Sequence, residues 1–120
     1  PMQAQLHASW DVRSGLEEDY VEWIKTVHVP FWREQPGFLA VRGFYMVVGA
    51  GPAIVGEFDF ETLEDLQNTL NSPAYRDILN ALRAFVTHYE SKILVSTGRG
   101  DTYVLPADHT PREGKTSCTP

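Results

Sequence analysis

At 120 residues the chain has room for one domain with a modest core, and its 42% hydrophobic and 22% charged residues lie in the ordinary globular range. A net charge of −6 and scattered Lys and Arg residues argue against nucleic acid as a partner, which would need clustered cations. No apolar run approaches the roughly 18 residues of a spanning helix, the N-terminus lacks the layout of a secretory signal, and Cys118 has no second cysteine to pair with. The expectation is a soluble, cytoplasmic protein with no membrane partner.

The first segment alternates: Ala4, Leu6, Ala8, Trp10 and Val12 share one face, Gln5, His7, Ser9 and Asp11 the other. That period of two predicts a strand with one face on a core. Ser14 and Glu17 have capping-box spacing, and Leu16, Tyr20, Trp23, Ile24 and Val27 then fall on one helical face. Pro30 disfavours helical geometry at Val29, so this helix is expected to end near His28. Pro36-Gly37 marks a turn. Residues 39–48 and 53–60 read as two strands joined by the tight Gly-Ala-Gly-Pro connection, a hairpin.

Thr62 with Asp65 opens a short helix through Leu63, Leu66 and Leu70, and Ser72-Pro73 restarts helix with a cap and a proline at its first position. Tyr75, Ile78, Leu79, Leu82, Phe85, Val86 and Tyr89 form a stripe that predicts helix to about Tyr89, with a fourth strand over 92–98. The order β-α-β-β-α-β is the split βαβ arrangement of ferredoxin-like folds, in the α+β class: a four-stranded antiparallel sheet with both helices on one face. Residues 1–99 are read as this domain. Residues 100–120 form a polar, proline-punctuated tail whose island Tyr103-Val104-Leu105 could lie as an arm on a partner subunit.

The helix followed by His28-Val29-Pro30, then Pro36-Gly37-Phe38 before a strand carrying Val41-Arg42, resembles the small dimeric α+β-barrel proteins. So does the run from Gly56 to Leu79, a strand, an acidic hinge, a leucine-rich helix and Ser-Pro opening the next helix. Over roughly residues 3 to 99 the chain is similar to EthD-like proteins and the methylmuconolactone-isomerase type, with antibiotic-biosynthesis monooxygenases and polyketide cyclases as cousins. The resemblance implies a homodimer whose two sheets face each other, and an activity among isomerases, cyclases and cofactor-free oxygenases. A sheet covered on one side supports the dimer independently, since its bare face is commonly hidden by a partner.

His28 is the leading candidate for chemistry. At the end of a helix its imidazolium would be favoured by the dipole, and at the edge of the apolar stripe, before Phe31 and Trp32, it could move protons near neutral pH. The plainer reading is a helix-terminal residue with no ligand. The resemblance adds weight to a catalytic role, because a histidine at this helix end recurs in the family pattern. Arg42 and Tyr45 lie on opposite faces of the second strand, so only one can face the helix-covered cavity. Arg42 could anchor a carboxylate or enolate, although a cross-strand pair with Glu57 is the favoured reading. Tyr45 could donate a proton to a carbonyl. Glu57 is a general base if buried against rings and a salt-bridge partner if it faces the other way. His7 could line the inter-sheet barrel, Tyr89 could aim its hydroxyl into the cavity, and Trp23, Phe31 and Trp32 could form an aromatic wall.

His88 is expected beside the second long helix near solvent. The superfamily's haem proteins use a helical histidine, but nothing around His88 matches them. His7, His28, His88 and His109 show no paired helical spacing, so no metal is expected. Pro1 could act as a base, as in tautomerases of the oxalocrotonate type, but Met2-Gln3-Ala4-Gln5 lacks the apolar strand start of that family. The resulting expectation is a cofactor-independent enzyme on a small aromatic, polyketide-like or organic-acid substrate, isomerising or cyclising it by proton transfer. His28, Tyr45 and Glu57 would be catalytic. A cofactor-free monooxygenase and a non-catalytic ligand-binding dimer are the alternatives.

Overall fold

The structure, a computed structural model, describes residues 3–98. The expectations for Pro1, Cys118, His109 and the arm at 100–120 lie outside the described residues. Four strands form one antiparallel sheet: β1 (Ala4–Val12), β2 (Phe38–Tyr45), β3 (Ile54–Phe60) and β4 (Val86–Val95), in the order β2-β3-β1-β4. This is the ferredoxin-like arrangement. The alternation in β1 does what the period of two predicts: Ala4, Leu6, Ala8 and Trp10 are buried. In β3, Gly56, Phe58 and Phe60 are buried on the same face, because Leu6 stands opposite Phe58 and Ala8 opposite Gly56.

The helices cover only that face. The first helical segment runs as α1 (Glu17–Trp23), a π-helical turn (Ile24–His28) and α2 (Val29–Arg33). It therefore continues five residues beyond His28, and the expectation of a helix end there is corrected. The wider turn is what admits the proline: the Val29 N–H bonds back to the Ile24 carbonyl, a five-residue step. Pro30 then falls in the first turn of α2, where a missing N–H costs little. On the exposed side of this turn Thr26 Oγ1 donates to the Glu22 carbonyl at 2.8 Å. Ser14 is not the cap. Leu16 holds that position without a side-chain bond, and Glu17 Oε1 instead accepts from the Gly15 N–H at 3.0 Å.

α3 (Leu63–Leu70) and α4 (Pro73–Arg83) begin as their sequences dictate. Thr62 Oγ1 accepts from the Asp65 N–H and Ser72 Oγ from the Tyr75 N–H, each at 3.1 Å. The second long helix stops at Arg83, not Tyr89, which is a second correction. Long-range pairing overrides the helical stripe here: the Arg13 N–H bonds to the Phe85 carbonyl, and Val86 and Thr87 stand opposite Val12 and Asp11 in the ladder.

His88 is consequently a strand residue. It has φ +58 at a register shift between Ser9 and Asp11, the geometry of a β-bulge. Its Nδ1 lies 2.9 Å from Asp11 Oδ2, and Asp11 Oδ1 accepts from the Ala53 N–H. That backbone bond, with His88 assisting, lowers the Asp11 pKa. Between sheet and helices the core centres on Trp32, Phe60 and Leu66, all fully buried. Each such side chain contributes about 1.5–3 kcal/mol by burial.

Candidate active site

The continuous first helical segment carries His28 over the middle of the sheet. Its side chain is only 4% exposed. Four rings box it in: Trp10, Trp23, Trp32 and Phe58, with centroids 6.3, 5.2, 6.2 and 5.8 Å away. Trp32 Nε1 donates to His28 Nε2 at 3.2 Å. An indole nitrogen can only donate, so Nε2 carries the lone pair and the neutral ring holds its hydrogen on Nδ1. Among the described residues nothing is hydrogen-bonded to Nδ1, and no side-chain nitrogen or oxygen there is both sealed and unpartnered. Nδ1 is therefore unpartnered but not sealed in.

Burial lowers the His28 pKa to about 4. The ring is neutral at physiological pH, the reverse of the imidazolium expected for a helix end. Two hollows meet it. A cavity of ≈ 180 Å³ opens between the first helical segment and β2–β3, lined by Trp10, Tyr20, Ile24, Val41, Gly43, Gly56 and Phe58 among others. On the other side a cleft of ≈ 10 Å³, room for about one water, runs past Trp32 toward Tyr75 and Tyr89.

Tyr89 stacks on Trp10 with ring centroids 6.0 Å apart, and its hydroxyl lies 3.5 Å from that of Tyr75. Burial raises the Tyr75 pKa, with the neighbouring Tyr89 adding to it, so Tyr75 stays protonated. Tyr20, buried in the cavity wall, accepts from Trp10 Nε1 at 2.9 Å, which fixes the indole plane. Its pKa is likewise raised by burial.

The structure brings His28, Trp32, Trp23 and Tyr89 together. Trp32 is a fully buried part of the core, while Phe31 is half-buried between Trp32 and Tyr75. Tyr45 is on the helix-covered face but 76% exposed, at the edge of an outer hollow of ≈ 280 Å³ shared with Tyr20, Ile24 and Lys25. Arg42, Glu57 and His7 are on the opposite face of the sheet. Register places Arg42 opposite Glu57, Glu57 opposite His7, and His7 opposite Lys92.

On that face Arg42 Nε donates to Glu57 Oε1 at 3.2 Å and its terminal nitrogen to Asp59, while Gln5 donates to Asp59 at 2.9 Å. A shallow hollow of ≈ 380 Å³ over Gln5, Arg42, Asp59 and Leu94 is larger than the one at His28, but its charged groups already satisfy one another. Tyr20 and Tyr75 lie in the apolar helical stripes and by spacing read as core alone. The available signal for Tyr20 was its spacing of four and eight residues before Ile24 and His28.

No protein-family model matches the sequence, and no curated protein matches it either. Solved structures do match in fold. One is SnoaB, a cofactor-independent oxygenase from Streptomyces nogalater, with a TM-score of 0.66 at 16% identity over 85% of this chain and 100% of that one. A dimeric ferredoxin-like protein of unknown function from Thermobifida fusca gives 0.64 at 11% identity, over 79% and 92%. An EthD family protein from Bacillus halodurans gives 0.56 at 18%, over 77% and 96%. The likeness is one of fold: a ferredoxin-like α+β arrangement with a four-stranded antiparallel sheet covered by helices on one face. Among the described residues no helix is long and apolar enough to cross a membrane.

Proposed function

We propose that the chain is a cofactor-independent enzyme that polarises a carbonyl or phenolic oxygen of a small, flat substrate and so promotes loss of an adjacent acidic C–H proton. The observation that carries this reading is the Trp32–His28 hydrogen bond inside an aromatic box. A neutral imidazole with an unpartnered N–H, in a ring that lines an apolar cavity, is a donor for a developing oxyanion, where low dielectric strengthens the interaction. The C–H proton leaves to water, the electron pair moves to the oxygen, and Nδ1–H holds the resulting enolate. Return of a proton at another carbon completes an isomerisation, and attack of the enolate carbon on a second carbonyl completes a cyclisation.

In this reading His28 works as donor rather than as base, and Tyr45 meets substrate oxygens that point outward. Trp23, Phe31, Trp32 and Tyr89 shape the box. Arg42, Glu57 and His7 serve the opposite face, which we assign to a second copy of the chain. That face carries Phe44 and Leu94, both substantially exposed, beside the Arg42–Glu57–Asp59 cluster.

A second reading is favoured by the likeness to SnoaB, described as a cofactor-independent oxygenase. The same enolate would react with dioxygen, converting a CH₂ group to a carbonyl with release of one water. The test uses 2-tetralone, a ketone fused to a flat benzene ring and carrying an acidic benzylic CH₂, in deuterated buffer. Protein-dependent deuterium uptake at that carbon under argon supports the enolising reading. Absence of exchange rejects it, and dioxygen consumption matched to product moves the assignment to the oxygenase.

A further inference from the structure

Two residues without side chains line the cavity at His28. Gly43 on β2 stands directly opposite Gly56 on β3, and Gly56 opposite Ala8 on β1. β2 is an edge strand, so this row runs from the open margin of the sheet inward beneath the helices. Gly43 is exposed and Gly56 buried. Both line the ≈ 180 Å³ cavity, and Gly43 also lines the ≈ 280 Å³ hollow outside it. At the inner end stands His28, more than nine-tenths buried, with no partner at Nδ1 among the described residues.

The two glycines are not equivalent. A Cβ on Gly56 would meet the Phe58 ring at 3.0 Å and the Trp10 ring at 3.4 Å, so those rings pack down onto the Gly56 backbone and a side chain there would crowd them. A Cβ on Gly43 would meet nothing within 4 Å, and no left-handed backbone calls for glycine. Nothing in the packing of the described fold explains Gly43 in the middle of a strand, where glycine is unfavourable.

On the reading of His28 as an oxyanion donor, we infer that Gly43, which lines both the inner cavity and the hollow outside it, is the portal to His28 and sets the thickness of the ligand that passes. Any side chain at 43 on this face stands over the opening. The bare backbone at Gly43, with the Trp10 and Phe58 rings beyond it, suits a planar unsaturated ring entering edge-on, its oxygen leading toward His28. A saturated ring system of the same outline is thicker and is excluded.

The probe is 2-naphthol, with binding followed by tryptophan fluorescence and by the His28 ring signals in NMR. Wild type binds saturably and the His28 signals shift. Gly43→Val weakens binding at least about tenfold, Gly43→Ala by less, and neither lowers the thermal midpoint, because valine fits an open strand position. Decahydro-2-naphthol binds wild type at least about tenfold more weakly than 2-naphthol. If Gly43→Val binds as wild type does while the His28 signals still shift, the portal is overturned and the oxyanion reading stands. If 2-naphthol binds without moving the His28 signals, or does not bind wild type at all, both fall.

Discussion

Trp32 donates its indole hydrogen to His28 Nε2 across one helical turn, 3.2 Å away, in a space closed to solvent by other rings. One bond thus decides which imidazole nitrogen is the donor. Removing it with Trp32→Phe leaves a buried acceptor unpaired and should cost about 1–3 kcal/mol in denaturant unfolding. Because the lost bond favoured the neutral ring, the His28 pKa should rise, and ¹⁵N spectra should show both tautomers. A single unchanged tautomer would mean that Trp32 does not set it.

The low pKa of His28 makes stability pH-dependent. The unfolded chain takes up this proton near pH 6.5, the folded chain only near pH 4. As pH falls through that window the unfolded state binds more protons, so stability falls. Above about pH 6.5 neither state is charged there and the contribution is flat. The loss between pH 7 and pH 4 should approach about 3 kcal/mol. Urea titrations of wild type and His28→Gln should differ in this slope, the variant lacking it.

Gly37 tests the fold independently of the site. It has φ +79, and a methyl group there would overlap the Asp65 carboxylate at the start of α3. Gly37→Ala should therefore destabilise by about 1–2 kcal/mol or more, read as a lower midpoint in urea. Asp65→Ala in the same background should restore part of the loss.

The opposite face tests the assembly. Arg42 is exposed and shares two carboxylates, so Arg42→Met should change monomer stability by about 1 kcal/mol or less. If this face holds a second copy, Phe44→Glu should shift sedimentation toward the monomer, because a charge replaces an apolar contact. Unchanged sedimentation of Phe44→Glu would remove that face from the interface.

Much of the fold was legible because short-range signals agree with the long-range ones. The Ala4–Val12 alternation, the caps at Thr62 and Ser72, and the Arg42–Glu57 cross-strand pair all follow from spacing alone. The site was less so. The π-helical turn inserts one residue and rotates the later positions of the helix by about 100°, carrying His28 from the edge of the apolar stripe to the interior. A proline normally read as a terminator gives no hint of that. The start of β4 was hidden because Phe85, Val86 and Tyr89 fit helical spacing from Leu82 as well as they fit a strand. Only pairing with β1 decides between them.

The proposed chemistry stands or falls with neutral His28 as the holder of the oxyanion. Its sharpest test is the rate of deuterium uptake into 2-tetralone at pH 7 under argon, for wild type and for His28→Phe, a variant that fills the box but has no donor. Loss of the Nδ1–H should slow exchange by about 10²–10³ with folding retained. A folded His28→Phe that exchanges as fast as wild type would contradict the assignment.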